Sequence, residues 1–397
     1  MKVILFDEDD SWQHLLPLTY TRPISELRAG ILTIREKWLK ALGPDEISCK
    51  TQPYLQKKFK LQPADFWINA SVCPNDELIV KIPTLKKGQS LVSNGRLVAF
   101  RAMEPVRELP DDVLTNQEEI DSDPVFIDRT WKLFRNVAEE IKKDFIVLTQ
   151  GRESAPVEDP HTVVYGEENL FLEPGARVQA AIIDATNGPV YLGANSYISP
   201  GSVIRGAFAL GEESVVNMGA KLRGDTSVGP GCKVGGEISN SVFQGNCNKS
   251  HDGYLGNSII GEWCNLGADT NSSNLKNNYA NVKVWSYAKK GFADTGLQFC
   301  GLTMGDHSKC GINTMFNTGT VVGVSANIFG SGFPRNFIPS FSWGGATGMI
   351  THQLKKALDT ARLVMVRRNI ELSEEDIEIF EHIFDQSAEF RVWEGKR

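Results

Sequence analysis

The chain has 397 residues, a length that corresponds to two or three domains. Its formal net charge of -7 argues against a nucleic-acid partner or an anionic membrane partner. It has no apolar run of membrane-spanning length, no N-terminal secretory signal and no CxxC pair among its seven cysteines, so we expect a cytoplasmic protein with reduced thiols.

The first 150 residues predict a mixed α/β domain. Val3–Phe6 is an apolar run typical of a buried strand, and Ile31–Leu42 has the periodicity of an amphipathic helix. Residues 65–72 predict another strand, and the Asn94-Gly95 pair between apolar segments favours a hairpin turn. Thr130–Phe145 predicts a second helix, followed by a linker rich in proline and charge.

A six-residue repeat dominates residues 160–335. Every sixth residue from Leu192 is aliphatic, and the residue four places later is mostly small, as at Ser196 and Ala220. The aliphatic set is Leu192, Ile198, Ile204, Leu210, Val216, Leu222, Val228 and Val234, and the phase returns at Met304, Cys310, Phe316, Val322 and Ile328. A period of six matches neither a helix nor an ordinary strand. It predicts a three-sided parallel β-helix whose coils bury their aliphatic residues by stacking.

The repeat is lost between about Asn246 and Gly301, where asparagine and serine are frequent. We expect this segment to be a loop that leaves one corner of the prism, a place where substrate contacts are common. Residues 350–397 predict two C-terminal helices, the second capped by Ser373 with Asp376 in its first turn.

Residues Ser250–Asp269 resemble the acetyltransferase signature of the bifunctional enzymes that acetylate glucosamine-1-phosphate and then uridylylate the product. The matching residues are His251, Tyr254, Leu255, Gly256, Ile260, Gly261, Asn265, Gly267 and Ala268. The resemblance implies a left-handed β-helix of hexapeptide repeats, acetyl-CoA as acyl donor, a sugar phosphate as acceptor, and a homotrimer with its sites between neighbouring prisms. It also implies that His251 is the general base, since an imidazole titrates near ~6.5. The alternative is a structural histidine.

The resemblance extends to other positions. Ala220–Asp225 is similar to the family's arginine segment, which implies phosphate binding by Arg223, with a surface cation as the alternative. Asn274 matches a family asparagine, although Leu275 replaces the tyrosine that follows it. Tyr254 and Asn265 are expected to bind sugar hydroxyls or orient the base, or else to serve turn packing.

Ile238–Ser241 stands where a sugar-binding lysine is expected, so the identity of the acceptor sugar is open. The backbone amides of Gly311, Gly323 and Ala326 are expected to line the groove for the pantetheine arm of the acyl-CoA.

The segment Pro17–Pro23 resembles the Pro-Leu-Thr-x-x-x-Pro-Lys motif of sugar-phosphate nucleotidyltransferases, which implies a shortened domain of that kind over residues 1–150. The family's glycine-rich loop is replaced by the acidic segment Asp7–Leu15, whose carboxylates repel a nucleoside triphosphate unless Mg²⁺ bridges them. Arg22 and Arg28 are candidates for nucleotide binding or, alternatively, for salt bridges to this acidic segment. Weak or absent nucleotidyl transfer is therefore expected.

The leading hypothesis is a sugar-phosphate N-acyltransferase linked to sugar-nucleotide biosynthesis. The first alternative is a sugar-1-phosphate nucleotidyltransferase whose β-helix mediates oligomerisation, and the second is a catalytically degenerate relative. A zinc enzyme requires three histidines per site, whereas the repeats from Thr162 to Pro334 contain only His251 and His307, so no metal ligands are assigned.

Overall fold

A computed structural model describes residues 1–111 and 113–395. The chain divides into two compact units. The first unit comprises Met1–Leu15, Thr19–Leu27 and Leu32–Lys132, and the second comprises Leu16–Leu18, Arg28–Ile31 and Leu133–Arg397.

The first unit contains a six-stranded mixed sheet. Its strands are β1 (Lys2–Phe6), β2 (Glu46–Lys50), β3 (Ala64–Asn69), β4 (Ser90–Ser93), β5 (Arg96–Val106) and β6 (Gln117–Glu119), in the order β2-β1-β3-β5-β4-β6. β1 runs parallel to β2 and β3, whereas β5 is antiparallel to β3 and β4. Asn94 and Gly95 both adopt positive φ, of 51° and 74°, which confirms the predicted hairpin turn.

Three helices of the first unit are α1 (Asp9–His14), α2 (Ile34–Leu42) and α3 (Asp76–Thr84), with a 3₁₀ turn at Ile24–Glu26. α2 begins three residues later than predicted, because Thr33 and Glu36 form a reciprocal capping box that fixes its start. The helix predicted from Thr130 is confirmed as α4 (Thr130–Thr149).

The second unit contains a parallel β-helix with three sheets, which confirms the predicted architecture. Sheet 1 comprises Val163–Tyr165, Ile182–Asp184, Val203–Arg205, Lys221–Leu222, Glu237–Ser239, Tyr254–Gly256, Asn271–Ser272 and Met315–Phe316. Sheet 2 comprises Leu170–Leu172, Val190–Leu192, Phe208–Leu210, Thr226–Val228, Val242–Phe243, Ile259–Ile260, Thr303–Met304, Val321–Val322 and Phe337–Ile338. Sheet 3 comprises Arg177–Val178, Tyr197–Ile198, Val215–Val216, Lys233–Val234, Asn248–Lys249, Asn265–Leu266, Lys309–Cys310, Asn327–Ile328, Ser342–Gly345 and the antiparallel Gly348–Thr351.

The prism interior is built from the predicted repeat. All eight aliphatic residues from Leu192 to Val234 are at most 1% exposed. The small residues sit buried at the corners, where the Ser202 and Ser214 hydroxyls donate to backbone carbonyls of the next coil at 3.0 and 2.8 Å. The limited space at these corners explains why most hexads have a small residue there.

The predicted interruption is wrong over its first half. The coils continue to Ser273, and residues 274–300 leave the prism, carrying the hairpin Lys283–Ser286 and Gly291–Asp294. Eighteen residues separate the paired positions Val216 and Val234, but only fifteen separate Val234 from its partner Lys249. This shorter coil changes the phase of the repeat without ending the β-helix.

The C-terminal segment forms α5 (Leu354–Val366) and α6 (Glu374–Gln386), as predicted, with Ser373 and Asp376 in a capping box at the start of α6. Further 3₁₀ turns occur at Glu167–Asn169, Ala388–Phe390 and Val392–Glu394. All seven cysteines are buried free thiols. Of the helices in the described ranges, none combines the length and the apolar character needed to cross a membrane.

Candidate functional site

His251 lies at the corner between sheet 3 and sheet 1, after Asn248–Lys249 and before Tyr254–Gly256. Its imidazole is exposed and, among the described residues, makes no hydrogen bond. It borders a groove of ≈ 860 Å³, lined by Tyr197, Ser199, Pro200, Asn217, Met218, Gly236, Ser250, His251, Asp252, Ala268 and Asp269. The imidazole therefore has an open ring nitrogen and adjoining space for a reactant.

Two side chains that the sequence analysis missed hold the turn around His251. Asn217 Nδ2 donates to the carbonyl of Ser250 at 2.9 Å. Lys249, only 1% exposed, donates from Nζ to the carbonyls of Gly235, His251 and Asp252 at 3.1, 2.7 and 3.4 Å. Burial lowers the pKa of Lys249 to about 8. The signal that would have revealed Lys249 is its place in a series of interior residues between Val234 and Leu266.

Arg223, Tyr254 and Asn274 form a second cluster, on sheet 1 and the corner that follows it. Asn274 Nδ2 donates to the Tyr254 hydroxyl at 3.0 Å, and Arg223 donates to Glu237 Oε1 at 2.8 Å. The hydrogen bond to Glu237 raises the pKa of Arg223, and burial raises the pKa of Tyr254, so both groups are protonated near neutral pH. The structure thus brings together three of the four predicted acceptor-binding residues, and one of them, Tyr254, is on the strand that directly follows the His251 turn.

Asn265 is placed apart from that cluster. It lies on sheet 3, where its Oδ1 accepts a hydrogen bond from Asn248 Nδ2 at 2.7 Å.

The backbone amides of Gly311, Gly323 and Ala326 are already engaged inside the prism. They donate to Ile328 O at 2.8 Å, to Ile338 O at 2.8 Å and to Ser308 Oγ at 2.9 Å. A Cβ on Gly323 would collide with the backbone of Ser340, so this glycine serves close coil stacking. The expected presentation of these amides to pantetheine therefore does not occur.

A separate cavity of ≈ 580 Å³ lies at the C-terminal end of the β-helix. Trp285 and Phe337 stack there with centroids 4.1 Å apart, and Phe390 packs edge-on against both rings. Lys290 and Arg335 also line it; Lys290 pairs with Glu389 at 2.6 Å, and Arg335 is exposed. Aromatic faces beside cationic groups suit a planar ring that carries phosphate.

Arg22 and Arg28 fall in different compact units. Arg22 is 7% exposed and lies near Glu26. Burial raises the pKa of Glu26, and the positive charges of Arg35 and Arg22 partly offset that rise. Arg28 donates from Nε to Gln244 O at 3.2 Å and from Nη1 to Ile31 O. Because its guanidinium donates to two backbone carbonyls, Arg28 stabilises the packing of the chain within the β-helix unit.

The acidic segment after β1 makes contacts within the first unit. Asp7 accepts the Ile24 amide at 3.0 Å and the Thr51 hydroxyl at 2.6 Å, and burial raises its pKa to about 7. The next three residues of the acidic segment also have partners: Glu8 contacts Arg96, Asp9 contacts Gln52 and Asp10 contacts Arg129. Within residues 1–111 and 113–395, no three His, Cys, Asp or Glu side chains are grouped to hold a metal ion. The carboxylates of this segment therefore have partners within the first unit.

Comparison with known proteins gives relatives for both parts of the chain. Residues 3–153 match the family model described as sugar nucleotidyl transferase. The chain is 28% identical over 143 residues to YaiX of Escherichia coli (strain K12), an uncharacterized acetyltransferase, covering 36% of this chain and 61% of YaiX. It is 37% identical over 87 residues to the bifunctional protein GlmU of Methanocaldococcus jannaschii, covering 22% of this chain and 21% of that protein.

Among solved structures, an Arabidopsis UDP-N-acetylglucosamine acyltransferase is 14% identical and covers 61% of this chain. Its TM-score of 0.25 is too low to compare the two structures residue by residue. The chain thus spans 61% or less of the length of the two curated relatives named above. These matches support the resemblance seen in the motifs: the chain is similar to sugar nucleotidyltransferases over residues 3–153, and to YaiX and GlmU over parts of its length.

Proposed function

We propose that the chain is a sugar-phosphate N-acyltransferase that uses an acyl-CoA donor, with His251 as general base. The observation that carries this proposal is the exposed His251 imidazole beside an open groove, three residues before Tyr254, which belongs to the cluster with Arg223 and Asn274. A positioned base together with a cation for the acceptor phosphate is what amide formation on an amino-sugar phosphate requires.

In the proposed reaction, the acceptor amine attacks the thioester carbonyl carbon and forms the C–N bond. His251 takes the proton that the amine loses, and the C–S bond breaks to release the CoA thiol. Arg223 is exposed, and a surface ion pair such as the one with Glu237 is weak, so its guanidinium is free to exchange that contact for a phosphate. Tyr254 and Asn274 offer a hydroxyl and an amide to the sugar ring.

The adenosine phosphate end of the donor is proposed to occupy the cavity of Trp285, Phe337 and Phe390. Its volume of ≈ 580 Å³ and its aromatic walls suit a nucleobase, and Arg335 offers a partner for phosphate. The acyl-CoA is a substrate here, and no step requires a metal ion.

A homotrimer is proposed on the basis of the outer face of sheet 1. Val163, Ile182 and Val203 align across three neighbouring strands and are 44%, 43% and 44% exposed. Aligned apolar side chains on one face favour burial against another subunit, and closed cyclic symmetry is the usual result.

The experiment that tests this function is mass spectrometry of products from a panel of amino-sugar phosphates with acetyl-CoA. An acceptor that gains an acetyl group on nitrogen supports the proposal, whereas an unchanged panel contradicts it.

The alternative, sugar-1-phosphate nucleotidyl transfer, is favoured by the family match over residues 3–153. We expect little or none, because the segment in place of the glycine-rich loop is acidic and its side chains already have internal partners. Pyrophosphate release from UTP, dTTP and GTP with hexose-1-phosphates and Mg²⁺ measures it. Strong release that is lost in Arg22→Ala would make the chain bifunctional.

A further inference from the structure

Lys249 occupies a position that belongs to apolar residues. Its strand pairs with Lys233–Val234 on one side and with Asn265–Leu266 on the other, which places Lys249 between Val234 and Leu266 inside the prism. All three residues are at most 1% exposed. A buried ammonium group is costly unless its donors are satisfied, so its presence in this series calls for a physical explanation.

The contacts of Lys249 provide that explanation. Its Nζ donates to three backbone carbonyls, and two of these, at His251 and Asp252, belong to the turn that carries the proposed base. The third, at Gly235, belongs to the preceding coil, against which the turn packs. Gly236, next to Gly235, packs against the His251 turn, because a Cβ on Gly236 would lie only 2.8 Å from the carbonyl oxygen of His251.

The peptide groups before and after His251 are therefore each anchored by a hydrogen bond from a side chain. Asn217 holds the carbonyl of Ser250, before His251, and Lys249 holds the carbonyl of His251 itself. Together these peptide groups set the direction in which the Cα–Cβ bond of His251 points. Because the imidazole has no hydrogen bond of its own among the described residues, the backbone is what directs it toward the groove.

We propose that Lys249 is a positioning residue, which acts through the backbone of the His251 turn to hold the general base in place for acyl transfer. This rests on the proposed function. It assigns the buried lysine a role in the rate of the chemical step and none in substrate binding, because Lys249 is enclosed in the prism and does not line the groove.

The test is Lys249→Met, which removes the donors and fills a similar volume. The change removes the cost of burying an ammonium group but leaves three carbonyls without this donor; the two effects oppose each other, so the melting temperature should change little. We expect kcat to fall on the order of 10- to 100-fold, the typical cost of a misplaced catalytic group, with KM for both substrates unchanged. Leu210→Met, an equally buried change in sheet 2, is the matched control and should keep wild-type kcat.

Amide hydrogen exchange over residues 250–254 gives a readout that does not depend on activity. It should be faster in Lys249→Met than in the wild type and unchanged in Leu210→Met. Asn217→Ala removes the other anchor without disturbing the interior, and it should reproduce the faster exchange and the lower kcat if Lys249→Met fails to fold.

Wild-type kcat in Lys249→Met, or unchanged exchange over the turn in both anchor variants, would overturn the role of Lys249. If the wild type acylates no acceptor, the proposed function fails, and the exchange comparison alone decides whether Lys249 positions the turn.

Discussion

Asp7→Asn should stabilise the first unit at alkaline pH. In the folded chain, burial raises the pKa of Asp7 to about 7, from the 3.8 that is usual for an aspartate in water. Between these two pH values the folded state keeps a proton that the unfolded state releases. Stability from this group is therefore fully present below about pH 4 and is lost as the pH rises through 7. At ~1.4 kcal/mol per pH unit, ionisation of Asp7 lowers the free energy of unfolding by about 4 kcal/mol over this interval. Because the carboxyl group is partly exposed, we expect roughly half of that loss.

The asparagine keeps an acceptor for the Ile24 amide and never ionises. We therefore expect the stability gain of Asp7→Asn over the wild type to increase by about 1.3 kcal/mol between pH 5 and pH 8. Amide hydrogen exchange of β1, corrected for intrinsic rates at each pH, measures this opening free energy. Asp10→Asn, at an exposed carboxylate 3.5 Å from Arg129, is the control and should change stability by less than about 0.5 kcal/mol. A difference between Asp7→Asn and wild type that is the same at both pH values would refute the reasoning.

Three further predictions concern substrates and assembly. Arg223→Ala should raise KM for a phosphorylated acceptor ~10- to 100-fold, the worth of a charge-assisted hydrogen bond; an equal effect on the unphosphorylated sugar would contradict phosphate binding. Arg335→Ala should raise KM for acetyl-CoA but not for acetyl-pantetheine, which lacks the nucleotide; equal effects on both donors would exclude the aromatic cavity. Ile182→Glu should dissociate the trimer in light scattering, whereas Leu363→Glu, at an equally apolar exposed position on α5, should not; an intact Ile182→Glu trimer would place the interface elsewhere.

The β-helix could be predicted because its repeat is a direct consequence of coil geometry. Each interior position from Leu192 to Val234 needs an aliphatic side chain, and the spacing of six records one side of the prism. The prediction was wrong after Val234 because the next interior residues, Ile238, Phe243 and Lys249, follow at shorter or equal steps, and the last of them is charged. The repeat was recognised by its spacing of six and by the aliphatic residue at each step. The shortened coil changes the spacing, and the charged interior residue breaks the aliphatic series.

The candidate site was predicted in part for a similar reason. His251, Arg223, Tyr254 and Asn274 were identified from local motifs, whose residues keep their spacing within one coil or the next. The partners that hold them, Asn217 for the turn and Glu237 for Arg223, are 33 and 14 residues away in the chain and carry no motif. The acidic segment was expected to meet Arg22 or Arg28, but Arg96 and Arg129 bind it, because strand pairing and not sequence proximity decides which side chains meet.

The central proposal is that His251 is the base for acyl transfer from acyl-CoA to an amino-sugar phosphate. The most direct measurement compares CoA-thiol release by the wild type and by His251→Ala, using the acceptor that the wild type acetylates best. Release in His251→Ala should fall ~10²- to 10⁴-fold, the usual loss for a general base, while the assembly and melting temperature stay as in the wild type. Wild-type turnover in the folded His251→Ala protein would show that this histidine is structural and would contradict the proposed mechanism.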